Sequence, residues 1–195
     1  MTAGGEPVTE MELRSDKAGS PDVLVLGRLR MFVIERDGRL AIRLRDLESP
    51  MRRGFTGLRW FPVRESFRVT ALWVPYDPPK LLRVPNILGY AERLPSPGRA
   101  VFALDGRELA LEPVLEDPQE AQLFFIFKDG TSGKETYPAG RFLYAEMPKD
   151  GSVVLDFNKA YNPPCAFTAF ATCPLPPEQN RLKVRIEAGE LDGHH

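Results

Sequence analysis

Histidine is almost missing from this chain: the only two are His194 and His195, its last residues. A histidine general base, a Ser-His-Asp triad and a histidine-held metal are therefore set aside. Cysteine is nearly as scarce. Cys165 and Cys173 are too few for a disulfide scaffold, and their spacing, with seven residues between them, fits neither a thioredoxin-type nor a zinc pattern. They read as two small buried thiols, with a disulfide or a redox pair as the alternative. No apolar run is long enough to span a bilayer, and the N-terminus lacks a basic region followed by a hydrophobic stretch, so a cytoplasmic protein without a membrane partner is expected. The formal net charge of -1 offers no basic excess for nucleic acid. Neither a complete P-loop nor a G-x-G-x-x-G after a strand occurs. No segment holds a helical period over ten or more residues.

What is present is strand and turn. Residues 1–21 are small and polar without a sustained period and read as a flexible arm, leaving 22–192 as a single domain. Asp37-Gly38 and Asp105-Gly106 each separate two β-rich runs and mark hairpins, because a type I′ turn needs positive φ at both central positions. Between Arg39 and Arg45, arginines alternate with Leu40, Ile42 and Leu44, the pattern of a half-buried strand. Phe67 to Val74 alternates again and Pro75 ends it; Lys80 to Gly89 is a separate strand, confined by Pro85 to an edge or bend. Leu123 to Phe127 is apolar on both faces and belongs in the middle of the architecture. Arg141–Met147 and Ser152–Phe157 flank a turn at Pro148–Gly151 as a third hairpin, and Lys183–Ile186 adds a last strand. Short helical turns are expected at Pro118–Ala121 and Pro177–Arg181, while Phe55, Trp60 and Phe61 plug one end of the core. About nine or ten strands result: an all-β fold, an antiparallel barrel or sandwich with long ordered loops.

Charge is unevenly placed. Residues 28–68 carry eleven arginines against five acids and no lysine, an excess of six positive charges. This is a solvated strand face or an arginine-lined site for a carboxylate or phosphate, which guanidinium forks suit. The loop Asp129 to Thr136, DGTSGKET, follows the buried strand with two glycines, three hydroxyls and Lys134. It is an anion nest or a turn that bonds to itself. Tyr137 and Arg141 follow as a polar pair. From Leu155 to Leu182 the chain is dense in proline, aromatics and asparagine, and Tyr161-Asn162-Pro163-Pro164-Cys165 forces an extended path in which either X-Pro bond at 163 or 164 is a candidate for cis. Asn158, Asn162, Asn180 and Arg181 are suited to satisfying the carbonyls of such rigid backbone. Glu190 is a partner for a buried arginine or a functional acid.

The strings DGTSGKETYPAGRFLY, LDFNKAYNPPCAFTAFATCPLPPEQNRL and IEAGE resemble the DUF1684 family, and GRLAIRLRDLESPMRRGFTGLRWFPV is similar to its N-terminal block, so the likeness runs from Val23 to Glu190. The resemblance implies an all-β domain and transfers no catalytic roles.

Three functions compete. In the first, a pocket beside the proline-rich stretch binds a small anionic or polar ligand through Thr131, Lys134, Tyr137, Arg141, Asn158, Tyr161, Asn162, Asn180, Arg181 and Glu190. A histidine-independent hydrolase or transferase is the second, with Cys165 or Cys173 as nucleophile or Glu190 or Asp156 as base. Its variant is a flavin-binding split barrel whose DGTSGK loop holds the FMN phosphate. The third is an interaction module that forms a homodimer.

Overall fold

The computed structural model describes residues 1–36, 38–115 and 121–193. They form two compact units, Met1–Thr56 and Gly57–His195, and antiparallel strands dominate both.

The first unit is a single sheet. Its strands β1 (Thr2–Ala3), β2 (Glu6–Pro7), β3 (Leu24–Leu26), β4 (Leu29–Arg36) and β5 (Arg39–Asp46) lie in the order β2-β1-β3-β4-β5, and one helical turn, α1 (Pro50–Arg53), follows. Ser49 caps that turn by accepting from the Arg52 N–H. Residues 1–21, read from the sequence as a flexible arm, contribute two of these strands: Thr2 pairs with both Pro7 and Val25, and Arg14 meets Asp22 at 2.8 Å. Strands of two residues are too short to leave a period in the sequence. The hairpin between β4 and β5 pairs Arg36 with Arg39, although Asp37 itself lies outside the described residues. One expectation is reversed: Leu40, Ile42 and Leu44 are 69%, 71% and 54% exposed, so the apolar side of β5 faces solvent. A one-layer sheet has no second layer to cover it.

The second unit packs two sheets. Strands β6 (Arg68–Pro85), β7 (Ala91–Leu104), β8 (Arg107–Leu111), β9 (Gln122–Phe127), β10 (Arg141–Glu146) and β11 (Ser152–Asp156) arrange as a four-stranded sheet, β11-β6-β7-β8, and a two-stranded one, β10-β9. Alternation sends Leu123, Phe125, Phe127, Leu143 and Ala145 into a core shared with Ala71, Phe102, Leu155 and Phe157. Phe124, Ile126 and Phe142 point the other way, into a second cluster with Leu82, Val84 and Cys173. β9 is thus buried on both faces, as its sequence requires. The Asp105-Gly106 turn has φ of 49° and 71° and joins Leu104 to Arg107.

Five expectations need correction here. Pro75 does not end a strand: β6 runs on to Pro85, and Pro78 and Pro79 fall where its pairing with β7 slips between Pro75 and Lys80. The cis bond among the described residues is Asp77–Pro78, not one preceding Pro163 or Pro164. The turn after Met147 exists and Lys149 pairs with Ser152 across it, but β10 pairs with β9 while β11 pairs with β6, so the chain changes sheets there and the two strands form no ladder with each other. Residues 183–186 form no strand: Val184 accepts from the Gly130 N–H, but the main-chain groups of Ile186 are taken by the side chains of Asp129 and Arg141. Phe55 and Trp60 are half exposed and Phe61 is only half-buried, so these rings do not close the end of the core as expected. The turn expected at Pro177–Arg181 appears as a 3-10 turn at Glu178–Asn180; residues 116–120, which hold most of the one expected at Pro118–Ala121, lie outside the described residues, as do His194 and His195. The sheets do not close into a barrel among the described residues.

Candidate functional site

Arg141 opens β10 on the face that looks into the larger core, and its side chain is 0% exposed. Its guanidinium is therefore placed among apolar residues, 5.3 Å from the Phe127 ring centroid, and needs partners from the protein. They come from two places. Nη2 donates to Asp129 Oδ1 at 3.2 Å and to the Ile186 carbonyl at 3.0 Å, and Nη1 donates to the Ala188 carbonyl. Burial pushes the Arg141 guanidinium down from its ordinary value; the Asp129 carboxylate and the charge of Glu190 push it back.

Asp129 is the hub. Its carboxylate accepts from the Ile186 N–H at 2.7 Å, from the Thr131 hydroxyl at 2.9 Å and from the Thr131 N–H at 3.3 Å. The irregular segment 184–188 thus finds for its main chain, in Asp129 and Arg141, the donors and acceptors that a neighbouring strand would otherwise supply. The loop after Asp129 is not an inward-facing anion nest. The N–H groups of Lys134, Glu135 and Thr136 all donate to the Thr131 carbonyl, Gly130 donates to Val184 and Gly133 to Thr136, so the loop bonds to itself and to the C-terminal segment.

Asn162 stands across from Arg141. Phe142 and Tyr161 exchange both main-chain hydrogen bonds, at 2.8 and 3.0 Å, which puts Arg141 and Asn162 in the adjoining non-hydrogen-bonded position where side chains come closest. With no ladder partner, the Asn162 N–H donates to Glu190 Oε2 at 2.9 Å, while Nδ2 donates to Glu190 Oε1 at 3.0 Å and to the Leu191 carbonyl at 2.9 Å. Because both Nδ2 partners are acceptors, the amide orientation is fixed and Oδ1 is the free acceptor end. Gly189 allows this approach: at φ +82°, a Cβ there would lie 2.5 Å from the Ala160 carbonyl oxygen.

Of the expected site residues, the structure gathers Thr131, Arg141, Asn162 and Glu190, all buried, into this one network. Tyr137 is half-buried, its phenol pushed up by burial and by Asp192, and no hydrogen bond joins it to Arg141. Tyr161 belongs to the second cluster, edge-on to Phe142 at 5.8 Å. Asn158 bonds both main-chain groups of Arg64 at 3.0 Å, and Asn180 ties Glu112 to Ile126 through bonds of 2.8 to 3.0 Å. Lys134 and Arg181 are exposed. Sequence reasoning passed over Asp129 as a site residue; its place directly after a doubly buried strand was the available signal. Cys165 and Cys173 are bonded to each other, which corrects the reading of two separate thiols and leaves neither free as a nucleophile in this state.

Residues 53–191 match the family described as protein of unknown function (DUF1684). The chain belongs to the DUF1684 family. The matched region takes in the whole of the network, and the upstream string that resembled the family's N-terminal block lies largely outside it. An uncharacterized protein of Haloarcula marismortui, solved by NMR in solution, shares 32% identity with this DUF1684 chain, covering 75% of it and 83% of its own length, with a TM-score of 0.62. No curated protein matches. No described helix is long and apolar enough to cross a membrane.

Proposed function

We propose that the DUF1684 unit is a rigid, non-catalytic module whose polar motif serves as scaffold, and that it acts through the surface this scaffold presents. One observation carries the reading: Arg141 is fully buried and spends its terminal nitrogens on Asp129 and on two carbonyls of the C-terminal segment. Three of its four terminal N–H groups are so engaged and the side chain is 0% exposed, which leaves little of the guanidinium for a substrate. A flavin phosphate is disfavoured on similar grounds. The loop that would cradle it has given its amides to carbonyls and holds the Asp129 carboxylate in its midst, a like charge.

Arg141→Ala tests the reading. Removing one partner of a buried ion pair leaves the other uncompensated, so a loss of about 3–5 kcal/mol in urea unfolding is expected. A variant as stable as the wild type, lacking only its response to a small molecule, would sink the proposal.

A second reading, a small polar ligand at the same place, is favoured by two atoms. Arg141 Nε and Asn162 Oδ1 are buried and have no hydrogen-bond partner among the described residues. A hydroxyl group, of a ligand or of water, accepts from the first and donates to the second. A thermal-shift screen of small polyols and amides identifies such a ligand if a compound stabilises the wild type and leaves Asn162→Ala unmoved. Compounds that stabilise both equally count against it.

A further inference from the structure

The first unit carries a cleft of about 470 Å³ on one face of its sheet, lined by Val23, Phe32, Ile34, Arg43, Arg45 and Asp16. Register explains the lining. Phe32 and Ile34 share a face of β4, and the β5 residues opposite that face include Arg43, paired with Phe32, and Arg45, paired with Arg30. Arg45 places its guanidinium 5.0 Å from the Phe32 ring centroid. The floor is thus apolar, with two guanidiniums along one side.

Neither Arg43 nor Arg45 forms an ion pair with a described residue, although Arg28, beside them in the same unit, is paired with Asp46 at 3.2 Å. Arg30 directs its Nη1 to the carbonyls of Gly27 and Leu29 and so does not relieve Arg45. Like charges directly opposite one another across two strands are unfavourable, and an anion between them removes that cost. Asp16 also lines the cleft; one of its oxygens accepts from the Glu35 N–H at 3.0 Å, and its single negative charge stands against the two positive charges of Arg43 and Arg45. A cleft of this volume is within the range of small-molecule sites, which combine apolar walls with a few placed polar groups.

We propose that this cleft binds a small amphipathic carboxylate, its head held by the forks of Arg43 and Arg45 and its apolar body lying on Phe32 and Ile34. Carboxylate and phosphate heads both suit the forks, and the apolar floor selects a ligand with a hydrocarbon body over a bare inorganic anion.

Titration of the full chain with hexanoate, followed by the amide and arginine Nε–H resonances in two-dimensional NMR, tests it. Hexanoate is expected to shift Phe32, Ile34, Arg43 and Arg45 saturably, with inorganic phosphate and hexylamine weaker by about tenfold or more. The double variant Arg43→Gln/Arg45→Gln is expected to lose about tenfold or more in hexanoate affinity at an unchanged melting temperature, since neither side chain is buried. The absence of saturable shifts, phosphate or hexylamine binding as tightly as hexanoate, or a folded double variant with wild-type affinity would each overturn the proposal. If the double variant fails to fold, wild-type titration at high salt decides: affinity that falls with salt supports the arginine contacts, and affinity indifferent to salt refutes them.

Discussion

Arg141 takes a charge out of water, and what surrounds it decides whether the domain can bear the cost. Desolvation of a guanidinium is offset only when an opposite charge and good hydrogen-bond geometry are supplied together. Asp129 supplies the charge, and two main-chain carbonyls supply much of the geometry. Tyr76 shows the same balance in a group that titrates. Its hydroxyl donates to Glu112 Oε1 at 2.6 Å, and burial first, then that bond and the Glu112 charge, push its pKa from 10.0 up to about 12. The folded state holds this proton more tightly than the unfolded chain does. The resulting stabilisation is fully present below pH 10 and is lost as pH rises through about 12. Urea midpoints collected across that window are expected to fall less steeply for Tyr76→Phe than for the wild type; parallel slopes would show that Tyr76 contributes nothing.

At the scale of elements, the proline-rich stretch is a strut held at several points. Tyr161 bonds β10, Asn162 bonds Glu190, the Ile87 N–H donates to the Cys173 carbonyl and the Leu175 N–H to the Pro85 carbonyl. The Cys165–Cys173 bond closes a short loop between those attachments, with Phe170 at its exposed tip. Loop-closure entropy for a bridge of this span is worth about 2–3 kcal/mol. Cys165→Ser/Cys173→Ser is expected to lose about that much stability, with faster hydrogen exchange confined to the stretch around residues 164–175; thiol titration of the native wild type is expected to find no reactive thiol. What the sequence disclosed depended on where each element's partners lie. The Asp105-Gly106 hairpin was legible because its determinants are local, and β9 because burial on both faces shows as an unbroken apolar run. β6 was misread because a proline is silent about whether a bulge excuses it. Residues 183–186 were misread because the partners of Ile186, Asp129 and Arg141, are some 45 to 57 residues away. The same distance hid the network: Arg141 and Glu190 were each legible as candidates, whereas Asp129 joining the loop to Ile186 was not.

The two units differ in what can hold them together. Every buried apolar side chain among the described residues lies at or beyond Phe67, in the second unit. The first unit is a sheet without a buried core, and a single small sheet gains too little apolar burial to offset its chain entropy. Residues 57–193 expressed alone are expected to unfold cooperatively by circular dichroism, and residues 1–56 alone to give no transition; the reverse outcome would refute this division of stability. The segment from Val184 to Glu190 also bears on how the chain is made. It leaves the ribosome last among the residues of the network, and Arg141 is synthesised 45 residues before the Ile186 carbonyl that receives it. A nascent chain that has already joined β9 to β10 therefore carries an arginine that has Asp129 but not yet its two carbonyl partners. During synthesis the network around Arg141 is therefore complete only once the segment from Val184 to Glu190 has been made.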